Sequence, residues 1–172
     1  MTLDQLRAIM PCSAGRLAIY GSTFLAAMNE YGITTPRRQA AYIAQVAVES
    51  CELRYVRELG DCSRYDGRAD LGNTQPGDGN LFRGGGWLDL TGRGNYLRCE
   101  VALHIPLTAN PSLIETPEVA ARSAGWFWQT HGINELADID SFFEITHRIN
   151  GGYTGGDHRL AYYLRARTVL GL

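Results

Sequence analysis

The chain has 172 residues, 45% of them apolar and 20% charged, with a formal net charge of −2. That size suits one domain with a substantial buried core, and this composition excludes a disordered or low-complexity chain. Without a net positive field, neither nucleic acid nor an anionic membrane is expected as a partner.

From the N-terminus, Thr2 and Gln5 form a capping box ahead of Leu3, Leu6, Ile9 and Met10, and Pro11 ends this short helix. Leu17, Tyr20, Phe24 and Met28 then recur at helical spacing, with Gly32 as the stop. The apolar run from Leu17 to Met28 is too short to span a bilayer. Asp4, Pro11 and the lack of a small-residue cleavage site speak against a signal peptide built on Arg7, Arg16 and that run. It reads as an internal amphipathic helix of a protein made in the cytoplasm, without stable membrane insertion. Thr35-Pro36 pairs an N-cap with proline at the first helical position. The helix it opens carries Ala40, Ala41, Ile43, Ala44, Val46, Ala47 and Val48, apolar nearly all round, so it is expected to be central and buried, with Glu49 near its end.

Half of the chain's 20 glycines fall between residues 60 and 94. The stretch from Asp61 to Gly86 is too long and polar for a plain connector, and loops of that size tend to carry function. Trp87 to Leu90 is expected to form a short strand. Helix resumes from about Tyr96 to His104 and again after Thr116-Pro117-Glu118, with Gly132 following it. Asp140 is the expected cap of Phe142 to Arg148, and Asp157 opens a last helix through Leu160, Tyr163, Leu164 and Val169. No repeat or linker divides the chain, so residues 1–172 form one domain. Cys12, Cys51, Cys62 and Cys99 have no metal-type spacing and read as small buried thiols, although an even count permits disulfides in an oxidising compartment.

Two acids flank the start of the glycine-rich stretch. Glu49 follows apolar helix positions, where burial disfavours the charged form; Glu58 begins the polar segment, where it stays wet and ionised. One carboxyl that keeps its proton beside one that does not is the requirement for hydrolysing a glycosidic bond. The two lie nine positions apart. On one continuous helix that is about 13.5 Å along the axis and on opposite faces. They can share a site only if the helix breaks between Cys51 and Arg57. With room for water between the carboxyls, at roughly 6.5–9.5 Å, the anomeric centre would invert. The competing reading pairs each acid with Arg54, Arg57 or another base. His104, His131, His147 and His158 show no zinc-ligand pattern of the kind a zinc amidase would need, and Gly84-Gly85-Gly86 lacks the Lys-Ser/Thr of a phosphate loop. No metal or cofactor is implied.

Phe82 to Tyr96 reads Phe-Arg-Gly-Gly-Gly-Trp-Leu-Asp-Leu-Thr-Gly-Arg-Gly-Asn-Tyr. It resembles the signature of family 19 glycoside hydrolases, the chitinase-like lysozymes, in their phage and prophage endolysin branch. Ala41 to Ser50 resembles the family's acid-bearing helix. Ile149-Asn150-Gly151-Gly152 with Arg159 to Tyr163 resembles its C-terminal signature. The matches run in order over residues 38–167. The resemblance implies that Glu49 is the general acid, Glu58 the general base, and Thr91 the hydroxyl holding the attacking water. It also implies that Asn95 and Asn150 contact substrate and that Arg159 stands near the acid, where it is carried with the substrate-binding residues. Trp87 and Tyr96 are expected to stack on sugars. Gly85 and Asp89 depart from the signature, which has arginine and glutamine there, and Asp89 is carried as a substrate contact.

The expected architecture is a mainly helical, lysozyme-like bilobed fold with a small β element near 82–91, the 60–94 region belonging to the smaller lobe. The expected function is inverting cleavage of β-1,4 bonds in peptidoglycan strands by a monomer that acts on the wall after release from the host cytoplasm. Chitin hydrolysis and catalytically silent glycan binding are the alternatives.

Overall fold

The computed structural model describes all 172 residues. Nine α-helices account for most of the chain. Helix α1 (Leu3–Ile9) has the capping box: Thr2 Oγ1 accepts from the Gln5 amide and Gln5 Oε1 from the Thr2 amide. Helix α2 (Ala14–Glu30) buries Leu17, Phe24, Ala27 and Met28, so the N-terminal apolar run is an amphipathic helix against the core. No helix is long and apolar enough to cross a membrane.

Helix α3 (Pro36–Glu49) is the central element. Every residue from Gln39 to Ala47 is buried, as an all-round apolar helix requires. Tyr42 meets Phe24 at 5.5 Å and stands edge-on to Trp128 at 5.1 Å. Such pairs add about 0.5–1.5 kcal/mol each beyond their buried area. Short helix α4 (Asp78–Leu81) leads to α5 (Arg93–Leu103) and α6 (Pro117–Thr130), which packs on α2. Helices α7 (Ile133–Asp138) and α8 (Phe142–Asn150) follow, and α9 (Gly156–Leu170) lies along α3. One contiguous apolar core joins these helices.

Three expectations change. The strand over Trp87 to Leu90 is absent; isolated bridges from Gly85 to Arg57 and to Leu90 are the only β pairing, because glycines and a left-handed Asp89 (φ 48°) turn the chain too sharply for a ladder. Asp140 does not cap α8. Its carboxylate accepts from Tyr163 Oη at 3.0 Å and pairs with Arg167 at 2.8 Å, tying the α7–α8 turn to α9. Of the cysteines, only Cys62 and Cys99 are buried; Cys12 and Cys51 are exposed, and all four are free thiols.

The glycine-rich stretch is ordered by its own polar side chains. Buried Asp78 pairs with Arg93 at 2.5 Å, Asn73 Oδ1 accepts from the Arg93 amide, and Asp66 accepts from the amides of Gly77 and Gly79. These contacts satisfy backbone donors that no helix or strand reaches.

Candidate active site

The predicted helix break is present. After Glu49, the last residue of α3, Cys51, Glu52 and Leu53 all take the left-handed conformation (φ 52°, 57° and 64°). Each such non-glycine residue costs about 1–2 kcal/mol. Neighbouring bonds hold the turn in place. Ser50 Oγ donates to Val46 O and accepts from the Leu53 amide; the Glu52 amide reaches back to Ala47 O; Arg16 holds Glu52 O at 3.0 Å. Glu52 Oε1 accepts from Tyr162 Oη at 2.5 Å, and Leu53 is buried. The chain therefore reverses within four residues, and Glu58 returns beside the glycine-rich turn: its amide donates to Gly84 O at 2.8 Å.

Glu49 is anchored from behind. Arg159 of α9, 2% exposed, donates to Glu49 Oε1 at 2.6 Å, to Gln45 Oε1 at 2.5 Å and to Thr154 O at 3.1 Å. Gln45 in turn donates to Thr146 of α8. The apolar surroundings expected for Glu49 are thus replaced on one side by a buried cation. Arg159 positions the acid and is itself out of reach of substrate, which corrects its assignment as a substrate contact.

Glu58 is bounded by donors. Arg64 and Tyr65 Oη donate to Oε1, and the Gly84 amide donates to Oε2 at 3.2 Å. A carboxylate has about four acceptor positions, so one stays free for a water molecule. Thr91 Oγ1 donates to Asp89 O at 2.8 Å, which spends its proton and leaves its lone pairs to accept. Asn95 is committed at both ends, donating to Thr91 O and accepting from Arg98, and so braces Thr91. Asn150 is exposed at the end of α8, in the loop that supplies Thr154 O to Arg159.

Trp87 and Tyr96 do not line a cleft. Trp87 is fully buried edge-on to Tyr20, and Tyr96 is buried with Oη donating to Arg83 O. Both are core, so the stacking assignment is corrected; period-2 and helical patterns cannot tell an aromatic lining a groove from one filling the core beneath it. Gln45, Arg64 and Tyr65 are the functional residues that sequence reasoning missed. An amide one helical turn before Glu49, set among apolar residues, was the available signal for Gln45; nothing local marks Arg64 or Tyr65.

Asp89 is exposed and stands across Gly84 from Glu58. Desolvation first, then the charges of Glu49 and Glu58, raise its carboxyl to about 7. Gly84 explains the closeness: a Cβ there would stand 3.2 Å from Glu58 Oε2 and 3.3 Å from Asp89 Oδ1. Gly85 is equally constrained, since a Cβ would meet Ile114 Cγ2 at 2.6 Å and Tyr96 Oη at 2.7 Å. Gly85→Arg is therefore expected to destabilise the fold by about 1–3 kcal/mol through overpacking. Thermal unfolding checks this; an unchanged Tm would show that the arginine finds room.

No three His, Cys, Asp or Glu side chains cluster as a metal site. No family model matches the chain. A glycosyl hydrolase family 19 domain-containing protein of Haemophilus influenzae is 31% identical over 99 residues, 58% of this chain and 48% of that protein. An endochitinase of Arabidopsis thaliana is 29% identical over 160 residues, 87% of this chain and 55% of that one. The chain thus spans about half the length of the curated relatives it matches. A solved bacterial family 19 chitinase superposes with a TM-score of 0.82 at 25% identity, covering 99% of this chain and 95% of that one. Chitinase C from Streptomyces griseus gives 0.80 at 24% identity, covering 99% and 76%, a likeness of fold.

Proposed function

We propose that the chain is a family 19 glycoside hydrolase, a reading its curated relatives and its fold support, and that it hydrolyses β-1,4 bonds of an N-acetylated glycan by inversion. Glu49 donates its proton to the leaving oxygen. Glu58 deprotonates a water that Thr91 helps to orient, and that water attacks the opposite face of the sugar. Inversion needs no covalent intermediate: the proton lost by the water ends on Glu58, and the proton leaving Glu49 ends on the released hydroxyl. The observation that carries this reading is the left-handed turn at 51–53, which ends α3 at Glu49 and lets the chain bring Glu58 back against the glycine-rich turn at Gly84.

Peptidoglycan is the proposed substrate, because the nine-residue interval between the acids resembles the short-loop endolysin-type members. The role that follows is lysis of a bacterial host, by a monomer made in the cytoplasm and acting on the wall. Chitin is the second reading, favoured by the relatives named endochitinases. The test is digestion of purified cell wall and of N-acetylglucosamine oligomers, with products identified by mass spectrometry and the first-formed anomer by NMR. We expect muropeptide fragments with new reducing ends, released as the α-anomer. Cleavage of the oligomers alone selects chitin. A β-anomer first product overturns the inverting mechanism, and binding without cleavage of either polymer selects a silent glycan-binding module.

A further inference from the structure

All 16 basic side chains of this chain are arginines. Most are ion-paired; Arg16, Arg54, Arg83, Arg98 and Arg165 have no carboxylate partner. Three of these, Arg16, Arg54 and Arg165, line one cavity of about 620 Å³, within the size range of small-ligand sites. It lies between the start of α2, the turn after α3 and one stripe of α9, where His158, Tyr162 and Arg165 recur at helical spacing.

Two of the arginines are held by uncharged partners. Arg16 donates to the backbone oxygens of Cys12 and Glu52. Arg165 donates to Ile9 O at 3.0 Å, with its guanidinium 5.3 Å from the centre of the Tyr162 ring. The Arg54 guanidinium makes no hydrogen bond and leans over Tyr55 at 5.2 Å. Carbonyl oxygens and rings fix these groups without cancelling their charge, so a local positive field stands in a protein of net charge −2. The same wall holds one acid. Glu52, 4% exposed, accepts from Tyr162 through Oε1, while its buried Oε2 has no partner. A buried acceptor without a donor is costly. The cavity therefore makes two unmet demands: guanidinium donors without an anion, and a carboxylate oxygen without a donor. A neutral sugar supplies no anion. A molecule carrying both a carboxylate and an ammonium answers both.

We propose that this cavity binds the stem peptide of peptidoglycan, its free carboxylate held by Arg54 and Arg165 and its free ammonium directed to Glu52. This deepens the peptidoglycan reading and rests on it. Guanidinium–carboxylate hydrogen bonds are charge-assisted and geometrically selective. The position suits a peptide hanging from a strand at the proposed acid. Val48, directly before Glu49, lines the cavity. His158, directly before Arg159, lines both this cavity and a second groove of about 500 Å³ that reaches Gly155 and Tyr153, beside the Asn150-Gly151-Gly152 turn. Chitin carries no such peptide.

Titration calorimetry of the whole protein with a synthetic stem tetrapeptide (L-alanyl-γ-D-glutamyl-L-lysyl-D-alanine) tests this. Arg54 and Arg165 are exposed, so Arg54→Gln and Arg165→Gln should leave Tm unchanged. Each substitution should weaken binding by about 3- to 10-fold, as for one charge-assisted contact at a partly exposed site. Amidating the peptide's carboxyls, or acetylating its amines, should weaken it by a similar factor. No detectable binding overturns the inference, as does equal binding of the amidated peptide or unchanged affinity in Arg54→Gln/Arg165→Gln. L-Alanine binding as tightly as the tetrapeptide also overturns it, since the site would then take amino acids in general. A second arm reads turnover. On purified wall the double variant should lose kcat/KM several-fold through a raised KM, while its hydrolysis of N-acetylglucosamine oligomers stays at the parent's level. An equal loss on both substrates overturns the peptide role. If the parent cleaves the oligomers and not the wall, the peptidoglycan reading fails, and the calorimetry still decides whether the cavity takes the peptide.

Discussion

Glu49→Gln should remove about 10²- to 10⁴-fold of kcat while leaving the fold intact, the size expected when a positioned general acid is lost. The substitution separates chemistry from architecture. The glutamine amide oxygen can still accept from Arg159, which holds Glu49 Oε1 at 2.6 Å, so α3 and α9 stay joined. What disappears is the transferable proton at the leaving oxygen. Glycan binding and Tm should stay near the parent values. The discriminating measurement is turnover on a substrate with an activated leaving group, which needs little protonation. Glu49→Gln should recover much of its rate there. An equal loss on activated and natural substrates would mean that Glu49 holds substrate and does not deliver a proton.

Arg159→Ala should have the largest effect on stability. Arg159 is 2% exposed, and its removal strips a donor from Glu49, Gln45 and Thr154 at once. Breaking a buried ion pair from one side costs about 3–5 kcal/mol; Glu49, its side chain 15% exposed, keeps some contact with water, so the lower end of about 3 kcal/mol is expected. For a domain of this size that corresponds to a fall in Tm of about 10 °C. Arg159→Lys keeps the charge and loses the planar fork, which cannot be replaced at three acceptors by a point charge. It should fall between the two. In both variants activity should drop below what the folded fraction accounts for, since nothing then fixes the Glu49 side chain. If Arg159→Lys matches the parent in both Tm and kcat, the guanidinium geometry is not what positions the acid.

Much of this was legible in the chain. The capping box at Thr2 and Gln5, the Thr35-Pro36 start and the all-apolar α3 rest on local rules, because caps and helical periodicity are settled within one or two turns. The break after Glu49 was also foreseeable, since two acids nine positions apart cannot serve one site from a single helix. Other features were illegible for a physical reason. That Asp140 would bind Tyr163 and Arg167 instead of capping α8 depends on where α9 lands. That Trp87 and Tyr96 would be buried depends on which face of the glycine turn meets Ser123, Ile114 and Tyr20.

By itself, the sequence determined the helices, the central place of α3, and the presence of two acids, a hydroxyl and an Asn-Gly-Gly turn in family order, because those properties are carried by residue type and short-range spacing. Only the tertiary structure decided the cation behind Glu49, the donors around Glu58 and the convergence of three unpaired arginines on one cavity. Each of those depends on side chains from segments far apart in the chain, and the Coulomb and desolvation effects that set a carboxyl's behaviour fall off over a few ångströms of space, not along sequence.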